Sequence, residues 1–551
     1  MRFSPFPSSG GFGLWSAAMS AADRDRAFFG HPIGLRTLFF TEMWERFSYY
    51  GMRAFLFIYM TQPLAVGGRG MTVGGAGLVM ALFLSSVYLL SLPGGWIADR
   101  FLGQRKAVTI GGIGIAIGNG LLMMPIDGCF FPGLVMIALG TGLLKPNVST
   151  IVGQLYTQED IRRDAGFTIY YMGINIGATL SPFVCGYLAQ STGFRGFLAG
   201  HGIDPTWCWH FGFAASALGM VGGLIQYLAQ QRDLGESGLH PTVPSDPKVA
   251  ARDVRVLRVI IGSLVGVAAF FVTLTYATDI SSERISDIFG IGLGIGAVFL
   301  FIGFLKNARD AGERRRVIAM IPLFIGAIGF FGIFEQASTT LSTFAESLTT
   351  RKLLGVTVEA SYYQSVNGIF IVALAPVFAA MWVGLAKARK EPSSVLKFAI
   401  GMVLVAVSFM VMLPSLSTVP SLVPKDGVVP DAQKVSGMYL IALYFFYTCA
   451  ELCISPVGLS SMSKLAPKRL AGMVMGTWFL GTAIGNYLAG RAAGFSESRG
   501  FGFLFPFLII GALVIAAGMF VVAPMIKKMM AAEDGPAAEP LPTARMVPKD
   551  D

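Results

Sequence analysis

Fourteen stretches of this chain are apolar over about the 20 residues that a helix needs to cross a bilayer. They lie at 34–62, 72–97, 105–125, 131–153, 165–190, 208–229, 255–277, 285–305, 317–346, 360–386, 396–414, 437–463, 470–490 and 502–526. The connecting loops test this division. Counted alternately, they hold 27 Lys and Arg on one side of the membrane and 9 on the other. Positively charged loops stay in the cytoplasm, so both termini are expected there. Dropping a single span would invert every later loop and destroy the alternation. The fold class is therefore an all-α polytopic membrane protein.

The polar linker at 231–253 and the basic cluster KNARDAGERRR at 306–316 divide the spans into six, two and six. The expected organisation is a cytoplasmic tail at 1–33, a six-helix bundle at 34–230, the linker at 231–253, and a two-helix insert at 254–306. A second six-helix bundle follows at 307–526, then a tail at 527–551. In such repeats the substrate sits near the midplane, between halves that rock to alternate access.

Composition excludes several functions. Only 13% of residues are charged, about half the share of a soluble protein. The net charge of +10 sits in short loops and sets topology, so nucleic-acid binding is not expected. No HExxH, GxSxG or Cys/His cluster points to an enzyme, a metal or a cofactor. The five cysteines are scattered and read as inert thiols, although Cys129 and Cys208 both fall in outer loops, where a disulfide is conceivable.

Beyond the first four residues of each span, ionisable side chains inside the spans are few: Glu42, Glu45, Arg46, Arg53, Lys145, Glu335, Glu346 and Glu451. Each costs about 2.5–3.5 kcal/mol at a helix centre and marks a functional site by default. In EMWERFSYYG and the following turn, Glu42, Glu45, Arg46, Tyr49, Tyr50 and Arg53 fall within one sector of about 140°. The Glu42–Arg46 spacing alone would suit a structural staple, but two phenols and a second arginine exceed that need. Lys145 precedes Pro146 in mid-span and needs an acidic partner; Glu42 and Glu45 are the nearest supply. The four histidines, His31, His201, His210 and His240, are read as lying outside the spans, so carboxylates must carry any proton coupling. Burial favours a neutral carboxyl and a nearby cation favours the ionised one. A Glu that gains and loses a cation between states therefore exchanges a proton.

The segment GGWIADRFLGQRKA at 94–107 resembles the loop signature of the major facilitator superfamily, with Asp99 and Arg100 as a candidate gate pair across neighbouring helix ends. The stretch at 42–51 resembles the first signature of the proton-coupled oligopeptide transporters (POT/PTR2), E-x-x-E-R-F-x-Y-Y-G. YYMGINIGAT (170–179), GTGLLKPNVS (140–149), FEQAS (334–338) and AELCISPVGLS (450–460) are similar to further family segments. The resemblance implies uptake of di- and tripeptides across the cytoplasmic membrane, driven by the proton gradient without a cofactor. It also implies a bacterial-type two-helix insert and residue roles. Glu42, Glu45 and Arg46 look like a proton-coupling cluster with Lys145 as switchable partner, and Glu335 like a second protonation site. Arg53 and Lys145 resemble carboxylate-binding cations, and Glu451 the group that holds the free amine. Asn175 and Asn367 resemble binders of the peptide backbone, and Tyr49, Tyr50, Tyr88, Trp478 and Thr482 pocket walls. Phe331 and Phe334 replace a Trp and a Glu found in some members, which leaves side-chain preference open. A carrier of another anion or zwitterion, a membrane-embedded enzyme and a transporter-like sensor are the rival readings.

Overall fold

The computed structural model describes residues 25–157, 160–242, 244, 246–277, 282–424, 429–465 and 471–531. Most of the two expected tails, 1–24 and 532–551, lies outside the described residues.

Fourteen helices of 17 residues or more occur among the described residues. They are α1 (Ile33–Thr61), α2 (Val73–Ile97), α3 (Gln104–Met123), α4 (Asp127–Gln154), α5 (Arg163–Gln190), α6 (Cys208–Gln230) and α7 (Pro247–Ala277). They continue with α8 (Ser282–Asn307), α9 (Ala311–Phe334), α10 (Tyr363–Lys387), α11 (Ser394–Met410), α12 (Met438–Leu465), α13 (Ala471–Arg499) and α14 (Phe501–Ala531). By length and composition alone, 11 membrane-spanning candidates emerge among the described residues. The exceptions are α1, α7 and α13. The first carries the polar stripe of Glu42, Glu45, Arg46 and Arg53, and the second begins with three strongly basic turns. Large apolar side chains face outwards, as on α14, where Ile510, Val514 and Val521 are 60, 65 and 78% exposed. A soluble protein would bury such a row; a lipid-facing helix presents it.

Within the first six helices, α1 packs on α5 and α6, and α3 on α4 and α6; within the last six, α11 packs on α12 and α14, and α9 on α13. The halves meet through two helix pairs, α2 with α13 and α5 with α10. In each pair the second helix of one half meets the fifth of the other, the arrangement of two halves related by a pseudo-twofold axis. Glycine makes the first contact possible. A Cβ on Gly77 of α2 would collide with the Gly490 carbonyl of α13, and one on Gly490 with the Gly77 carbonyl. Such small residues let membrane helices approach backbone to backbone. Gly490→Leu is therefore expected to force the halves apart, with overpacking of about 1–3 kcal/mol. Its melting temperature in detergent should fall by several degrees; an unchanged Tm would contradict this packing.

Two local features differ from the sequence expectation. The span drawn at 317–346 is interrupted: α9 ends at Phe334, a tight turn covers Glu335–Ser338, and a short helix resumes at Thr340–Leu348. The cause lies in FEQASTT. The Gln336 amide donates to the Gly332 carbonyl at 3.0 Å, the Ser338 hydroxyl to the Glu335 carbonyl at 3.0 Å, and Thr340 to the Gln336 side chain at 2.7 Å. Side chains that bond nearby backbone in this way compete with regular helix. Hydropathy continues across the break and does not report it. The segment at 94–107 is also less of a loop than expected. The chain stays helical to Ile97 and then forms a widened π-type turn over Ala98–Leu102.

The insert helix α8 lies against α2, α9 and α13. Cys129 and Cys208 both lie in the first turns of helices and carry free thiols, as do the other three cysteines.

Candidate functional site

Helix α1 presents its polar face to the centre, as its periodicity requires. Glu42, Glu45, Arg46, Tyr49 and Arg53 are all less than 9% exposed. One guanidinium gathers both acids: Arg46 Nε lies 2.7 Å from Glu42 Oε1 and 2.8 Å from Glu45 Oε2. The expected pairing of these acids with Lys145 is not made in this conformation. Arg46 shares their helix face and reaches them first. Lys145 instead places Nζ 4.1 Å from the centre of the Tyr88 ring, a cation–π contact. No carboxylate pairs with it among the described residues. Pro146 explains the local backbone. It cannot donate to the Gly142 carbonyl, and Gly94 of α2 packs directly on that carbonyl.

Arg53 is the residue that reaches the other half. Its Nη2 donates to Glu335 Oε2, an ion pair between residues 282 positions apart in the chain. Glu335 stands at the break after α9, so the interruption of the helix carries this carboxylate to the interface. The Arg53 guanidinium also lies 5.8 Å from the Tyr50 ring, and Tyr49 and Tyr50 meet edge to face at 5.4 Å.

The second half supplies the opposite wall. On α12, Glu451 accepts from Asn367 Nδ2 of α10 at 3.0 Å, and the same amide donates to Thr448 at 3.0 Å. Glu451 has no cationic partner among the described residues. Trp478 and Thr482 lie one turn apart on α13, and the Thr482 hydroxyl donates to the Trp478 carbonyl at 3.0 Å. Trp478 meets Phe331 edge to face, and the neighbouring Phe479 approaches Tyr88. On α5, Asn175 donates to the Tyr171 carbonyl at 2.9 Å. Each named residue thus sits on a long helix or at the α9 break, and contacts across the halves join α1 to α9 and α2 to α13.

Asp99 and Arg100 do not pair with one another. Asp99 accepts from Gln104 within its own turn at 2.7 Å, while its carbonyl accepts from Thr242 N of the linker at 2.7 Å. Arg100 reaches Asp253 of the insert helix α7 at 3.5 Å. These contacts hold the linker and the insert to the end of α2.

A further cross-half cluster was not legible in the sequence. It lies at the opposite end, where α1 and α5 finish. Glu346 accepts from Arg351 at 2.8 Å, from Gln190 at 3.1 Å and from Gln62 at 3.4 Å, and Arg351 also pairs with Glu359 at 2.8 Å. A cavity of about 250 Å³ adjoins it. Burial pushes the Glu359 carboxyl above its usual range, against the opposing pull of Arg351. The one signal was Glu346 itself, an in-span acid with no assigned partner. His210 also corrects an expectation: it occupies the first turn of α6 and is not outside the spans.

Fold and site together define the class: a membrane transporter of the major facilitator fold, with two six-helix halves facing each other across buried ionisable side chains. The family description "PTR2: POT family" matches residues 105–500. The chain belongs to the POT family, whose members are transporters and not enzymes. It is 37% identical over 511 residues to "Uncharacterized transporter YclF" of Bacillus subtilis, covering 92% of this chain and 96% of that one. It is 34% identical over 465 residues to a "Di-/tripeptide transporter" of Lactococcus lactis, covering 83% and 88%. A solved structure of a mutant peptide transporter POT in complex with alafosfalin matches with a TM-score of 0.80 at 36% identity, covering 92% and 97%.

Proposed function

We propose that this protein is a symporter that brings di- and tripeptides, together with protons, into the cell across the cytoplasmic membrane. Both termini face the cytoplasm, and the proton gradient supplies the energy without a cofactor. The observation that carries this reading is the division of charge at the centre. Arg53 and Glu335 pair across the halves, while Lys145 on one half and Glu451 on the other have no ionic partner among the described residues. A zwitterionic peptide offers a carboxylate to the first and an ammonium to the second.

The bundles at 34–230 and 307–526 are the rocking units, joined by the linker at 231–253 and flanked by the insert at 254–306. Arg53 and Lys145 receive the peptide carboxylate, Glu451 the amine, and Asn175 and Asn367 the backbone amide. Tyr49, Tyr50, Tyr88, Trp478 and Thr482 line the space for side chains. Protonation of Glu335 releases Arg53 to the substrate and unlocks the halves. Glu42, Glu45 and Arg46 form a second coupling cluster that draws Lys145 in when the proton leaves. Asp99 and Arg100 brace the cytoplasmic end, and the Glu346–Arg351 cluster closes the outer end. The support is the family, the names of the relatives and the placement of these side chains.

A clamp at both peptide ends sets length and disregards sequence. In vesicles containing the purified protein, dialanine and trialanine should compete with labelled dipeptide at similar concentrations, and tetra-alanine at least tenfold more weakly. Competition by nitrate, with none by trialanine, would favour a carrier of simple anions.

A further inference from the structure

The two-helix insert has no place in the peptide site, yet its cytoplasmic end carries an unusual surface. At about 100° per residue, Lys248, Arg252 and Arg255 of α7 fall within a sector of about 60°, and Arg258 lies one turn further on. All four side chains are exposed. Asp253 points the opposite way. It is buried and pairs with Arg100 at 3.5 Å, so it neutralises the gate arginine and leaves the outer face basic. Only Arg252 reaches back towards it, at 3.8 Å. Lys248, Arg255 and Arg258 have no ion-pair partner among the described residues.

At the starts of α7 and α9, acids accept from backbone amides. Asp246 accepts from Lys248 N at 2.8 Å, Asp310 from Glu313 N at 2.7 Å, and Glu313 from Arg309 N at 2.8 Å. Each caps a helix start. The cations of the α8–α9 turn, Lys306, Arg309, Arg314 and Arg315, are exposed and add to the same cytoplasmic layer. Val254 and Val256 stand among the cations of α7, 39 and 38% exposed, and Val259 and Ile261 follow them towards the membrane at 61 and 51%. Positive charge alone would serve topology. Positive charge followed by exposed valine and isoleucine is the surface of a helix that passes through the headgroup layer into the acyl region.

We infer that the first three turns of α7 form a binding surface for anionic phospholipid of the cytoplasmic leaflet. Phosphates contact Lys248, Arg255 and Arg258, and the acyl chains cover the valines. The same helix holds Arg100 through Asp253, so a bound lipid fixes the insert against the end of α2. This inference rests on the orientation proposed above, but its test does not depend on transport.

The full chain in mixed micelles is titrated with acyl-labelled phosphatidylglycerol and, separately, with phosphatidylcholine. Phosphatidylglycerol should bind at least tenfold more tightly, since each surface cation is worth about fivefold in affinity for an anionic leaflet. The triple variant Lys248→Gln, Arg255→Gln, Arg258→Gln should lose that preference while keeping the wild-type melting temperature. The conservative pair Arg255→Lys, Arg258→Lys should retain it, which separates loss of charge from loss of fold. Equal affinity for the two lipids, or a triple variant with the preference intact, overturns the inference. So does displacement of the labelled lipid by millimolar glycerol 3-phosphate, which would mark a site for soluble phosphate.

Discussion

Glu335→Gln is expected to abolish accumulation of peptide against its gradient while leaving exchange of peptide across the membrane within a few-fold of wild type. The variant keeps the size and hydrogen-bonding capacity of the side chain but cannot ionise. In the wild type, the Arg53–Glu335 pair is less than 9% exposed and holds α1 to the break after α9. A buried guanidinium and carboxylate are stable together and costly apart, by about 3–5 kcal/mol when one partner is removed. In the proposed cycle, a proton on Glu335 removes the negative charge and frees Arg53 at the moment a peptide carboxylate can replace it. Glutamine fixes the released arrangement permanently, so peptide still binds and the halves still rock with cargo. No proton movement accompanies the cycle, and the gradient can do no work. Uptake driven by an imposed pH gradient should fall at least about 100-fold. Undiminished accumulation in this variant would remove Glu335 from the coupling path.

The second large effect is expected at the ends of the clamp. In the proposed clamp, Lys145→Ala and Glu451→Ala each delete a charge that faces the peptide from one half. Truncating one partner of a buried, hydrogen-bonded charge pair costs about 2–5 kcal/mol, which is roughly 30-fold to several thousand-fold in kcat/KM. The losses should be specific to the peptide terminus. An N-acetylated dipeptide, which lacks the ammonium, should compete poorly for the wild type. It should compete no worse than the free dipeptide for Glu451→Ala. A dipeptide amide should behave in the same way towards Lys145→Ala. Equal discrimination by all three proteins would mean that these residues do not touch the termini.

Much of the fold was legible because the bilayer leaves a chain few choices. Apolar length and composition mark eleven of the fourteen long helices, and the alternation of basic loops argues for the other three, α1, α7 and α13. The polar stripe of α1 was legible for the same reason: a helix repeats every 3.6 residues, and no side chain in EMWERFSYYG can leave its sector. Partners were another matter. Nothing in periodicity says that Arg46 takes both Glu42 and Glu45, or that Arg53 crosses to Glu335. Those pairings depend on how the two halves dock. The break at Glu335 was hidden because Phe334, Ala337 and Leu341 keep hydropathy high, while the turn is set by polar side chains bonding to local backbone. The Glu346–Arg351–Glu359 cluster was hidden because Arg351 reads as an ordinary loop cation until the fold brings Gln62 and Gln190 beside its partner. The contacts of Asp99 and Arg100 were hidden for a related reason, since their partners lie in the linker and the insert.

The central claim is that buried carboxylates let a proton gradient drive peptide through the space between Lys145 and Glu451. The measurement that tests it most directly is uptake of labelled dialanine by sealed vesicles containing the purified protein, acidic outside and electrically negative inside. Internal dialanine should rise well above the external concentration and return to it when a protonophore is added. Internal dialanine that merely equals the external concentration, with or without the gradient, would contradict the account.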